Sequence, residues 1–174
     1  LHGGKAKSRG PVEPGQLAIS TFNFENLAQT DAQSKFDRLA HEIVANLRSP
    51  DLIAGEEVQD NNGTLDNSTV DASQTLSKLA DAVADAGGPT YAWREIDPVD
   101  DQDGGAPGGN IRQVFLFRTD RDLSFVDRPG GDSTTANAVV GTGSATHLLY
   151  SPGRIDPASG AWASSRKPLA GEFD

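Results

Sequence analysis

The chain has 174 residues, a formal net charge of −10, and neither cysteine nor methionine. Its length suits one domain with one core, and the missing cysteines exclude disulfides, thiolate zinc sites and thiol nucleophiles. The acidic net charge argues against extensive, salt-dependent electrostatic binding of nucleic acid, because such binding needs Lys and Arg side chains. A substrate that carries phosphate would therefore need a metal ion to offset the repulsion.

The first 15 residues lack hydrophobic periodicity and are rich in Gly, Pro and Lys, which is typical of a linker or tail. We expect residues 16–174 to form the folded part. Alternating apolar residues predict a first strand over 16–22, which leads directly to Asn23. Because residue 1 is not methionine, we also expect the sequence to be a piece of a longer chain.

The pattern then changes to a helical period from residue 30. Thr30 and Gln33 have the spacing of a capping box, and Pro50 ends the helix. A short strand over 52–54 and a second amphipathic helix over 72–86 follow. The alternation of strand and helix predicts a βαβ-like progression.

The second half contains strands separated by long loops. We predict strands over 91–96 and 111–118, joined by an acidic, Gly-rich loop, and expect residues 123–126 to pair antiparallel with the second of them. The chain should then run irregularly until a last strand over 169–173. Together these elements predict an α+β domain whose sheet has mixed strand directions.

Oxygen-bearing side chains follow the first two apolar strands. The run DLIAGEEVQD ends in Glu56 and Glu57, and the run LAISTFNFENL delivers Asn23. Hard divalent cations such as Mg²⁺ prefer oxygen ligands, so the pattern predicts one metal site between the two strands. Two alternatives remain: Glu57 as an exposed loop carboxylate, and Asn23 as the cap of a turn.

Five segments, in this order and spacing, resemble the amino-terminal half of the endonuclease/exonuclease/phosphatase superfamily, the deoxyribonuclease I-like metal-dependent phosphoesterases. They are LAISTFNFENL, DLIAGEEVQD, GGNIRQVFLFR, SPGRIDP and SRKPLAGEF. The last two are most similar to the branch found in large secreted bacterial nucleases and phosphoesterases. The resemblance implies half of a four-layer α/β sandwich, with helices on the outer face of a mixed sheet.

The resemblance also implies roles for particular residues. Glu57 would be the metal-binding carboxylate for Mg²⁺, with Mn²⁺ or Ca²⁺ as alternatives, and Asn23 would be a catalytic amide beside the phosphate. Arg112 would contact the phosphate, with Asn110 as the competing substrate-binding residue. Glu56 would lie apart from Glu57, because adjacent strand residues point to opposite faces.

The implied function is Mg²⁺-dependent hydrolysis of a phosphoester, with a nuclease favoured. A phosphatase, a phospholipid-type phosphodiesterase and a non-catalytic module that kept the fold are the alternatives. The superfamily's catalytic His and Asp would lie beyond residue 174, so this segment alone should be inactive. A missing carboxy-terminal half of the same domain is thus an expected partner, and a secreted or cell-surface location is expected by analogy.

Overall fold

A mixed four-stranded sheet forms the centre of the structure, a computed structural model that describes residues 15–103, 108–163 and 165–174. Its strands are β1 (Ile19–Leu27), β2 (Leu52–Val58), β3 (Tyr91–Glu95) and β4 (Arg112–Arg118). They lie in the order β1-β2-β4-β3; β1 is parallel to β2, and β4 is antiparallel to both of its neighbours. The predicted α+β class is confirmed. The predicted tail lies outside the described residues except for Gly15.

Two helices cover one face of this sheet. They are α1 (Gln33–His41), which continues as a π-helical turn over Glu42–Asn46, and α2 (Ser73–Asp85). Their apolar stripes pack on the sheet residues that point toward them, and burial of this surface is the main favourable contribution to folding. The largest buried apolar members of this core are Phe24, Leu27, Phe36, Leu39, Ile43, Ile53, Leu76 and Leu79.

The start of α1 differs from the predicted capping box. The N-cap residue is Ala32, which makes no side-chain cap. Gln33 is the first helical residue, whereas a capping box needs this residue to be the third, and its amide donates to Asp37 instead. The neighbouring Asp31 carboxylate accepts from the backbone N–H of Ala28. The predicted capping box is therefore wrong.

The first two strands run further than predicted. They pass through the polar residues instead of stopping before them, and Asn23 is paired with Glu56 across the parallel ladder. The later part of the chain contains four two-residue strands: β5 (Val139–Val140), β6 (His147–Leu148), β7 (Gly153–Arg154) and β8 (Leu169–Ala170). They form two antiparallel pairs, β5 with β6 and β7 with β8.

Residues 123–126 do not pair with β4, contrary to the prediction. Both hydrogen-bonding edges of β4 are already occupied by β2 and β3. The segment pairs instead with the end of the described chain: Ser124 and Asp174 exchange backbone hydrogen bonds of 2.8 and 2.9 Å, and Phe125 forms a bridge with Phe173.

The sheet face opposite the helices carries a cluster of four aromatic rings. Phe115 and Phe117 project from β4, as its predicted alternation requires, and their rings lie 6.4 and 5.9 Å from that of Phe125. The ring of Phe173 lies 5.7 Å from both. At the edge of the sheet, Ile19 is 60% exposed. We call this side of the sheet the open face.

Gly55 in β2 lets Phe24 pack directly on the strand. A Cβ atom at this position would lie 2.4 Å from Cε2 of Phe24 and 2.9 Å from Cγ1 of Val114. Both partners belong to the buried core, so neither has free space into which to move.

We therefore expect Gly55→Ala to lower the free energy of unfolding by about 1–3 kcal/mol through overpacking. Urea denaturation measures this change. Gly160→Ala is the matched control, since a Cβ atom added there would have nothing within 4 Å, and it should change stability by no more than about 0.5 kcal/mol. Equal effects of the two substitutions would contradict the packing account.

Candidate functional site

A β-bulge brings Glu56 and Glu57 to the same side of the sheet. Gly55 and Val58 both point toward the helices, and the pairing register shifts between them, so two residues fill the space of one. Glu57 takes a left-handed backbone conformation, with φ of 62°. Bulges of this kind re-aim side chains and are common beside active sites. The expectation that the two carboxylates point to opposite faces is therefore wrong.

Arg166 is the cation beside both carboxylates. Its Nη2 atom lies 3.5 Å from Oε2 of Glu56 and 3.4 Å from Oε1 of Glu57. One guanidinium thus lies beside two like charges that the bulge brings together, and it offsets part of their repulsion.

Asn23 lies next to this group. In register with Glu56, it shares the open face, because paired residues of parallel strands point to the same side. Its Oδ1 atom accepts a hydrogen bond of 2.8 Å from the backbone N–H of Glu25. The turn-capping contact is therefore present, and it fixes the amide beside the carboxylates. The structure brings together two predicted site residues, Asn23 and Glu57.

Arg112 lies elsewhere, and its guanidinium has no exposed surface. It forms ion pairs with Glu95 and Asp97 and donates hydrogen bonds to the carbonyl oxygens of Val70 and Asn110. A guanidinium enclosed by these partners has a structural role, because burial of an arginine requires such pairing. The predicted phosphate contact has no geometric support, and we do not retain it.

Asn110 is also completely buried. Its Nδ2 atom donates to Asp60, to Asp100 and to the carbonyl oxygen of Thr69, over 2.9–3.1 Å. Its Oδ1 atom accepts from the backbone N–H of Asp101. The residue ties two loops together, so the predicted substrate-binding role likewise lacks support.

The segment that carries Arg166 is held by a second buried arginine, Arg154. This side chain donates hydrogen bonds of 2.7 Å to the carbonyl oxygens of Lys167 and Ile96 and lies 3.6 Å from Asp103. Lys167 in turn forms an ion pair with Asp103. These contacts, together with the β7–β8 pairing, dock the SPGRIDP and SRKPLAGEF segments on each other.

Sequence reasoning missed Arg166, although SRKPLAGEF was one of the segments that carried the resemblance. The Arg-Lys pair before a proline was a usable signal. Adjacent side chains of an extended segment point to opposite sides, so only one of the two can point into the protein interior. Lys167 is that side chain, and the neighbouring Arg166 is directed to the carboxylates.

The donor set suits a hard divalent cation in kind and number. Two carboxylates and an amide occupy one face, and Mg²⁺ is commonly held by only one or two carboxylates together with waters and substrate phosphate. Within the part of the chain that the structure describes, no cluster of three or more His, Asp or Glu side chains is arranged to hold a metal. The oxygen donors at Glu56, Glu57 and Asn23 are the candidate site because they share one face and have the chemistry that a hard cation prefers.

Comparisons with protein-family models, with curated proteins and with solved structures found no match. Among the described helices, none is long and apolar enough to cross a membrane.

Glu95, the buried partner of Arg112, has a strongly perturbed pKa. Burial raises the pKa of this carboxyl from 4.5 to about 7, with the attraction of Arg112 opposing the rise and the charge of Asp97 adding to it. The folded protein thus binds a proton at Glu95 over a pH range in which the unfolded chain has released it. Stability from this group is complete below about pH 4.5 and is lost as the pH rises to about 7.

We expect the free energy of unfolding of the wild type, relative to that of Glu95→Gln, to fall by up to about 1.4 kcal/mol per pH unit in this window. The neutral glutamine keeps the shape and removes the titration. Urea denaturation of both proteins at pH 5, 6, 7 and 8 measures the difference. A difference that stays constant or grows with pH would show that Glu95 does not titrate as described.

Proposed function

We propose that the bulged carboxylate pair, Asn23 and Arg166 form part of the active site of a metal-dependent phosphoesterase, with a nuclease as the favoured activity. The observation that carries the proposal is the bulge in β2, which directs Glu56 and Glu57 to the face on which Asn23 lies. Sequence resemblance supplies the reaction class, and the geometry supports the metal-facing half of the site.

Each residue has a chemical role in this proposal. Glu57 binds the cation, for which Mg²⁺ is favoured and Mn²⁺ or Ca²⁺ are the alternatives. A divalent cation bound there supplies Lewis-acid stabilisation of negative charge on the phosphoryl oxygens. Asn23 holds a neutral amide beside the phosphate without adding negative charge. Arg166 takes the place that sequence reasoning gave to Arg112, as the cation available to the phosphate.

The open face supports a second partner, the remaining half of the same domain. Four phenylalanines gather there, and the paired segments around Phe125 and Phe173 form the start of a covering layer. A second sheet packed face to face would complete the burial of Phe115, Phe125 and Phe173, which are only partly buried, and would bring the water-activating His and Asp of the superfamily mechanism to the carboxylates. Intact-mass and oligomeric-state measurements test this partner. A stable, monodisperse 18.3 kDa monomer would count against it.

The proposal leaves the substrate class to experiment. A nucleic acid is favoured by the resemblance, and a phosphatase or phospholipid-type diesterase activity would use the same metal site. A secreted or cell-surface location follows from the same resemblance. Full-length protein assayed with plasmid DNA, RNA, a nucleotide monoester and a phospholipid separates these activities, while a non-catalytic module would hydrolyse none of them.

We expect Glu57→Gln in the full-length protein to lower Mg²⁺-dependent hydrolysis by about 100-fold or more, because the amide replaces a charged metal ligand. Initial rates over a Mg²⁺ titration measure the loss. Glu42→Gln is the matched control, since Glu42 lies in the π-helical turn on the helical side of the sheet, and it should retain wild-type rates. Full Mg²⁺-dependent activity in Glu57→Gln would overturn the assignment.

A further inference from the structure

We propose that Arg166 and a divalent cation compete for the Glu56–Glu57 carboxylate pair, so that binding of the cation releases the guanidinium. The inference rests on the proposed function only in placing the metal at these carboxylates. It adds an order of binding at the site: the divalent cation binds first, and an anionic ligand binds second.

The guanidinium of Arg166 lies between the two carboxylates. Its Nη2 atom is almost equidistant from the two carboxylates, at 3.5 and 3.4 Å. Both separations are longer than a good charge-assisted hydrogen bond, which is about 2.7–2.9 Å. Arg166 is thus held mainly by charge, and a stronger positive charge can replace it.

The backbone fixes the orientation of the two carboxylates. Gly55 and Val58 anchor the bulge in the core on either side, and Glu57 keeps its left-handed backbone. The carboxylates cannot separate by turning to opposite faces. A cation beside these two like charges, whether a guanidinium or a metal ion, lowers their mutual repulsion.

The guanidinium and a divalent cation exclude each other from the carboxylate pair. A divalent ion binds carboxylate oxygens at about 2.0–2.6 Å. An ion at that distance from oxygens that are only 3.4 and 3.5 Å from Nη2 would bring a double and a single positive charge close together on a half-exposed surface. The two cations repel each other, and they share the same pair of negative charges. Each therefore weakens binding of the other.

The Arg166 side chain can leave the carboxylates while its backbone stays in place. The neighbouring Lys167 is anchored by its ion pair with Asp103, and its carbonyl oxygen accepts from Arg154. Only the long Arg166 side chain, which is partly exposed, has to rotate. The released guanidinium remains on the open face near Asn23, where it is available to an anion.

The exchange is tested by binding of Mn²⁺ alone to wild-type protein and to Arg166→Met, measured by electron paramagnetic resonance or calorimetry at low salt. We expect Arg166→Met to bind Mn²⁺ about threefold to tenfold more tightly, because the competing ion pairs are gone. Arg118→Met is the matched control: it also removes one positive charge, but Arg118 pairs with Asp120 at the opposite end of the sheet. Its Mn²⁺ affinity should stay within about twofold of the wild type.

A second measurement uses the unchanged protein. The Nε–Hε resonance of Arg166 should shift saturably as Mg²⁺ is added, with the same affinity as resonances of Glu57, and Glu57→Gln should abolish the shift. An Arg166→Met protein with unchanged or weaker Mn²⁺ affinity, an Arg166 resonance that does not move, or no saturable Mn²⁺ binding by either protein would each overturn the exchange.

These outcomes are separate from those of the phosphoesterase proposal. Tighter Mn²⁺ binding by Arg166→Met in a protein that hydrolyses no phosphoester would support the exchange and refute the enzymatic function. Metal-dependent hydrolysis without tighter Mn²⁺ binding by Arg166→Met would support the enzymatic function and refute the exchange.

Discussion

The close packing of Phe24 and Val114 on Gly55 is the constraint on which the candidate site depends. Gly55 faces the helices at a position where an added Cβ atom would clash with Phe24 and Val114, and Val58 is buried in the same core. Two glutamates occupy the space between them, so the strand must bulge. The core thereby determines where the two charges lie, and Glu57 adopts a backbone conformation that few residues other than glycine tolerate.

The charges that result are balanced in two different ways. Arg112 and Arg154 are enclosed by carboxylates and carbonyl oxygens. Arg112 joins β4 to Glu95 of β3 and to the loop at Val70, and Arg154 joins Ile96 to the segment at Lys167. At the site, Arg166 stays partly exposed and is held by longer contacts. Buried arginines that are paired with carboxylates are costly to disturb, whereas an exposed ion pair contributes little. Arg112 and Arg154 therefore stabilise the fold, and Arg166 is able to change its contacts when a ligand binds.

The sequence predicted the regular elements well because periodicity reports burial on a single face. The helix α2 and the alternation of β4, with Phe115 and Phe117 on one side, follow from that rule. The rule failed where tertiary contacts decide. Glu56 changed face because of the bulge, and residues 123–126 paired elsewhere because β4 had no free edge. The resemblance assigned Arg112 a phosphate contact, but its guanidinium is completely buried.

Binding of a divalent cation by Glu56 and Glu57 on the open face is the proposal on which the assigned chemistry depends. The position of Mn²⁺, located by its anomalous scattering in crystals of the protein, tests this most directly. We expect a peak about 2.0–2.3 Å from a carboxylate oxygen of Glu57, with the guanidinium of Arg166 turned away from both glutamates. A peak bound at another place, or Mn²⁺ absent from crystals in which Arg166 still bridges the two glutamates, would contradict it.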